Sequence, residues 1–282
     1  MNKIVLLLTG CINPGEMPFT HLTNKDERMR QYKNAIDFYL NKTDYPIVFA
    51  ENSNTDISND YKKDISRERL EIITFKGNDN KQRGKGYGEA IIIEYALKHS
   101  QLIKNDSYIV KITGRLIVEN IQNVIHKNIP FQTPRSICCS FHSDLNFSDS
   151  RIFGAPKDFL IKLVDQKNRI NDNLNIYFEH ILANCAINAN EPCYPFWEEP
   201  CIIGMSGSTG NAYLRTDTSR LHELLYKNYI LKQVITLSKN KKNYPSYHII
   251  LYHIIIGIIK IETFIINLAN KFSNVNEPKR EH

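Results

Sequence analysis

The chain alternates short apolar runs with longer amphipathic stretches. "IVLLL" (Ile4–Leu8) is an unbroken apolar run of strand length, followed by the polar loop "TGCINPGEMPFTHLTN". "DERMRQYKNAIDFYL" (Asp26–Leu40) then places Met29, Tyr32, Ile36 and Leu40 on one helical face, with Asn24 or Asp26 as its cap. "YPIVFAEN" predicts a second strand with Asn52 just past its end, and "LEIITFKG" predicts a third. "RGKGYGEAIIIEYALKHS" predicts a glycine turn leading into a helix from about Gly88 to His99. "SYIVKITGR" predicts a further strand, broken by Thr113-Gly114 in front of Arg115. This order predicts an α/β fold, a parallel or mixed sheet flanked by helices, with a nucleotide-binding crevice at its strand ends.

The second half is less regular. "RSICCSFH" reads as a strand, "DSRIFGAPKDFLIKLV" as a loop running into a helix, and "DNLNIYFEHILANCAI" as a helix. A loop with proline and cysteine then leads to "IIGMSGSTGNAY". In the tail, Lys227, Lys232, Lys239, Lys241 and Lys242 precede "YHIILYHIIIGIIKIETFIINLANKF". Its uninterrupted apolar part, roughly His248 to Ile259, is short of the ~20 residues a spanning helix needs. It fits either a core-packing C-terminal helix or an interfacial helix whose basic run is drawn to an anionic membrane surface. The expected organisation is therefore a catalytic α/β domain over 1–222 and a helical, basic and apolar, membrane-associating appendage over 223–282.

Composition narrows the functional class. At 42% hydrophobic residues the chain can bury a full core. Lys+Arg exceed Asp+Glu by 36 to 30, a net +6. That excess suits an anionic ligand or an acidic membrane and is too small and scattered for a nucleic-acid binder. The six cysteines include no CxxC pair and read as small buried hydrophobes in a reducing compartment. The apolar part of the N-terminus is shorter than the ~7–15 residues of a signal-peptide core, and no cleavage site follows. It reads as the first core strand of a cytoplasmic enzyme.

Candidate chemistry gathers in four places. Lys111 and Arg115 put two cations at a strand end, where α/β proteins collect ligands. "GKGYGEA" is neither a Walker loop nor a dinucleotide fingerprint. Its glycines, Gly86 among them, can let backbone N–H groups and Lys85 approach a phosphate, and a plain flexible turn fits as well. "NIYFEHILA" sets Glu179 and His180 among apolar neighbours. A desolvated carboxylate there has a raised pKa and suits a general base, while an ordinary solvated Glu on an amphipathic helix fits the same pattern. "GMSGSTGNAY" offers Ser206, Ser208, Thr209 and backbone amides, either as a mobile lid over a phosphate or sugar or as a surface loop. There is no zinc-type His/Cys spacing, no GxSxG, and "KITGR" stands where nucleotide-sugar enzymes commonly carry Asp-x-Asp for a divalent metal.

Taken in order, "ENSN", "GKGYGEA", "KITGR", "DSRIFGAP", "YFEHILA" and "GMSGSTG" resemble bacterial glycosyltransferases of the GT-A type. The resemblance is to small cytoplasmic enzymes of capsule and lipopolysaccharide loci lacking Asp-x-Asp, and it covers about residues 1–215. It implies a GT-A-like (Rossmann-related) fold and a nucleotide-sugar donor lying across the strand ends. Asn52 matches the position near the base or ribose, and Glu179 the helix acid that is the base in inverting members. Lys85, Gly86, Lys111, Arg115, Arg151, Ser206, Ser208 and Thr209 would bind the donor, and His180 would accompany Glu179. Lys111 and Arg115 would neutralise the donor phosphate, so no divalent metal and no other cofactor is expected. The acceptor implied is a surface glycan or lipid-linked glycan, met by an enzyme that is cytoplasmic or peripheral on the inner face of the plasma membrane. The rival readings are a nucleotidyltransferase of sugar activation and a non-catalytic scaffold of a polysaccharide-synthesis complex.

Overall fold

The apolar run at the start of the chain becomes β1 (Ile4–Gly10), seen in a computed structural model that describes residues 4–17, 20–79, 81–128, 135–213, 219–240 and 255–266. It is buried from Val5 onward because parallel partners flank it on both sides, β2 (Ile47–Glu51) and β4 (Tyr108–Thr113). A strand covered on every side reads as continuous apolar sequence rather than alternation. The sheet has seven strands in the order β3-β2-β1-β4-β7-β6-β8, completed by β3 (Leu70–Thr74), β6 (Ile137–Phe141), β7 (Ser148–Pro156) and β8 (Cys193–Tyr194). Among the described strands of this sheet only β7 runs against its neighbours, antiparallel to both β4 and β6. A small separate ladder joins β5 (Ile117–Val118) to β9 (Ile202–Ile203).

Helices flank the sheet, so the mixed α/β class expected from the sequence is the observed one. α1 (Lys25–Lys42) starts at Asn24, whose side chain accepts from the Glu27 N–H at 2.9 Å. Its buried face is Arg28, Tyr32, Ala35, Ile36 and Tyr39, with Met29 and Leu40 at the margin. α2 (Lys62–Ser66), α3 (Lys85–His99), α4 (Ile121–Asn128), α5 (Lys157–Asp165) and α6 (Phe178–Asn188) complete the set. None of the six cysteines, all among the described residues, forms a disulfide; Cys138, Cys139 and Cys193 are buried.

Three boundaries differ from expectation, each for a local reason. α3 begins at Lys85, so part of the expected glycine turn is its first turn. "DSRIFGAP" is the nine-residue strand β7 and not a loop. Its polar residues hide the pattern because Ser148 and Ser150 are buried with their hydroxyls bonded inward, Ser148 to the Ser140 carbonyl at 3.1 Å. α6 starts at Phe178, because Asn171 and Ile176 bridge in a tight turn and Asn175 adopts a left-handed backbone (φ 56).

By contact density the chain divides into Met1–Arg215 and Thr216–His282. The second unit contains α7 (Arg220–Asn240) and a helix over 255–266, and Arg220 bonds Glu262 at 2.7 and 3.0 Å. Ile258, Ile261 and Ile265 share one exposed face of the second helix. Much of the expected apolar stretch lies outside the described residues. Among those described, no helix is long and apolar enough to cross a membrane.

Candidate active site

From β1 the chain builds β2 and β3 to one side, then returns to place β4 on the other side of β1. Loops leaving the C-terminal ends of β1 and β4 therefore diverge and leave a crevice at that switch point. A cavity of about 640 Å³ occupies it, within the roughly 300–1,000 Å³ of small-molecule sites. Thr9 and Gly10 of β1, Thr113 of β4 and Asn52 after β2 line its base. The first turns of α3 and α6 and the segment around Ser206–Ser208 contribute further lining. Because β7 is antiparallel, it is its N-terminal part, with Arg151, that reaches this end of the sheet.

Glu179 lies in the first turn of α6 and lines the cavity. Burial raises its pKa above the ordinary value, opposed by a hydrogen bond from Ser150 Oγ to Oε1 at 2.6 Å. His180, its neighbour, lies outside the cavity lining. Its Nδ1 accepts from the Tyr177 N–H at 3.1 Å in a capping box that starts α6, and its ring packs against Tyr177 and Phe147. His180 is a helix cap here, a correction to its pairing with Glu179 in catalysis.

Lys111 is the larger correction. Its side chain is fully buried and does not line the cavity. It forms an ion pair with Glu89 of α3 and donates to the Ser150 carbonyl at 2.6 Å, with the Phe153 ring 5.7 Å away. A buried ammonium needs a carboxylate and acceptors, and these saturate it, leaving no access for a phosphate. Arg115 does reach the cavity and donates through Nη1 to the Met205 carbonyl. Burial works against its charge and lowers its pKa, as it does for Lys85, which bonds Ser208 Oγ.

The start of α3 also differs from a phosphate loop. Its N-cap, Gly84, has no side chain to cap the helix, and the Gly86 N–H donates instead to Asp172 Oδ2 at 3.3 Å. A carboxylate from 86 positions downstream thus sits where an anion would stabilise the helix N-terminus. Gly84 has φ +91, and any Cβ there would overlap the Asp172 carboxyl group. Gly84→Ala should therefore destabilise the protein by roughly 1–3 kcal/mol through backbone strain and the lost cap, read from denaturant unfolding. An unchanged midpoint would show that the cap contributes nothing.

Of the remaining expected residues, Asn52 is 1% exposed and lines the cavity, as do Gly86, Arg151, Ser206 and Ser208. Arg151 is held by Asp149, Nε lying 2.9 Å from both carboxylate oxygens, and stands 4.7 Å from the Tyr213 ring centroid. Thr209 is not in the lining; its N–H donates to Ser206 Oγ at 3.2 Å. Sequence reasoning missed Thr9, Arg28, Tyr32 and Glu89, which line the same cavity. For Glu89 a signal existed, since Lys85 and Glu89 are one helical turn apart and share a face.

No family model matches the chain, and no curated protein does. Solved structures of similar course include the glycosyltransferase GlyE of Streptococcus pneumoniae TIGR4, at 10% identity and a TM-score of 0.42, matched over 68% of this chain and 45% of that one. This chain thus spans less than half of that glycosyltransferase's length. A cytidylyltransferase from Leptospira borgpetersenii matches at 14% identity and a TM-score of 0.39, over 88% and 100% of the two chains. The 2-C-methyl-D-erythritol 4-phosphate cytidylyltransferase of Francisella tularensis matches at 12% and 0.40, over 81% and 99%. None of these three likenesses reaches a TM-score of 0.5, so what this chain binds has to come from its own cavity.

Proposed function

We propose that the chain is a GT-A-like glycosyltransferase that moves a sugar from a nucleotide donor to a hydroxyl of a bacterial surface glycan. The observation that carries this reading is the joining, in one cavity at the switch point, of a desolvated carboxylate with two partly buried cations, Arg115 and Lys85. Glu179 takes the proton of the acceptor hydroxyl, and the new bond forms from that oxygen to the anomeric carbon. The bond from the anomeric carbon to the phosphate oxygen breaks, its electron pair leaving on the phosphate, whose charge Arg115 and Lys85 stabilise. Direct attack of this kind inverts the anomeric centre.

Metal independence belongs to the same proposal. Arg115 and Lys85, both lining the cavity, would neutralise the phosphate charge that a divalent ion otherwise carries. A thermal-shift screen with UDP, GDP, CMP and their sugar conjugates tests the reading. At least one conjugate should raise the melting temperature, and transfer from it should survive excess EDTA. A flat screen would remove the donor. Loss of transfer in EDTA restored by Mg²⁺ would favour a nucleotidyltransferase.

A further inference from the structure

Five side chains from five elements are joined beneath and beside the cavity. Thr9 Oγ1 of β1 donates to Glu89 Oε1 at 3.1 Å, and the Lys111 ammonium pairs with that same oxygen. Lys111 also donates to the Ser150 carbonyl at 2.6 Å, and the Ser150 hydroxyl donates to Glu179 Oε1 at 2.6 Å. One buried ammonium therefore holds two of the cavity carboxylates, Glu89 directly and Glu179 through the carbonyl and hydroxyl of a single serine. A fully buried lysine is costly and its partners fix its place. This one spends its charge between two acids that open on the cavity where chemistry is proposed.

We propose that Lys111 is a positioning residue that couples Glu89 to Glu179, making Glu89 the second carboxylate of the reacting centre. This rests on the reading of Glu179 as the base. Proton uptake at Glu179 then depends on the charge of Glu89, as coupled sites require. The other groups around Glu179 are accounted for. The charges acting on it are Glu89 of α3, which raises its pKa, and Lys111 of β4, which lowers it. Glu179 in turn acts on Lys85 of α3, which Asp172 also holds. On β7, Asp149 and Arg151 pair with each other, and on α5 Lys162 pairs with Glu191. On α6 itself, His180 is engaged with the Tyr177 backbone.

The test is a carboxyl-carbon NMR titration of the full chain labelled at glutamate, with the Glu179 signal assigned by its loss in Glu179→Gln. Glu89→Gln removes a like charge, so the Glu179 midpoint should move to lower pH. Adding Lys111→Met to that variant removes the ammonium without stranding a buried carboxylate, and the midpoint should move back up. A midpoint in Glu89→Gln equal to wild type overturns the coupling, as does a downward move on adding Lys111→Met. Glu89→Gln keeps the volume and an amide oxygen facing Lys111 but takes away its counter-ion, a loss that adding Lys111→Met relieves. Where the single variant does not fold, the wild-type Glu179 curve decides, and a single-step curve with no response to the Glu89 proton overturns the coupling. The titration needs no donor or acceptor. A protein with displaced midpoints but no sugar transfer keeps the coupling and loses the proposed activity; one that transfers sugar with unmoved midpoints does the reverse.

Discussion

Glu179→Gln should lower kcat by roughly 10²–10⁴-fold while donor affinity stays close to wild type. The substitution preserves shape and leaves an oxygen to accept from Ser150, so what it removes is the capacity to take a proton. Its pH behaviour is equally specific. A base must be deprotonated, so wild-type kcat/KM should rise with pH, with its inflection above the ordinary glutamate value of about 4.3 because burial raises the pKa. In Glu179→Gln that limb should disappear. Stability moves the other way. Between the unfolded and the raised folded pKa the native state binds more protons, so stability falls as pH rises through that window. The glutamine variant lacks this penalty and should melt no lower than wild type at pH 7. Near-normal turnover would move the base to another carboxylate of the cavity, Glu89 or Asp172.

The second large effect is expected at Arg115. Arg115→Ala should weaken nucleoside-phosphate binding by ~1.5–3 kcal/mol, the scale of a charged hydrogen bond, or roughly 10–150-fold in Kd. Arg115→Lys keeps the charge but loses the paired N–H donors, so it should recover little of the loss. A purely architectural role is the competing account, since Nη1 already donates to the Met205 carbonyl. On that account Arg115→Ala melts lower and its folded fraction binds donor normally. Melting temperature and donor affinity measured on one sample separate the two.

How far the sequence could be read depended on whether a residue's partner lay nearby. β1, α1, β2, α3 and β4 were legible because burial on one or both faces writes itself into local periodicity. β7 was not, because buried serines look like a loop until the Ser140 carbonyl and Glu179 are seen bonding them. Lys111 was placed on the correct strand but given the wrong neighbour. Whether a strand lysine faces a ligand or a carboxylate of its own chain depends on Glu89, which reaches it through the packing of α3 on the sheet. His180 shows the same limit at short range, since a histidine at the third helical position can cap its own helix. The gathering of Asn52, Lys85 and Arg115 around one cavity was legible, because each stands just past a strand or at a helix start on one edge of the sheet, whereas Arg151 and Glu179 depended on β7 and on where α6 begins.

The cap that Asp172 places on α3 has a consequence for how the site meets its ligand. Gly86 rests so close to the start of α6 that a Cβ there would lie 3.0 Å from the Phe178 nitrogen. The turn that carries Lys85 and the turn that carries Glu179 are thus seated on each other, with the Asp172 carboxyl clasped alongside. On the proposed function, a leaving phosphate held by one and a nucleophile activated by the other would meet at a spacing settled during folding. The entropy of aligning those two protein groups with each other is lost once, when the chain folds, and only that of the bound reactants is lost again at each turnover.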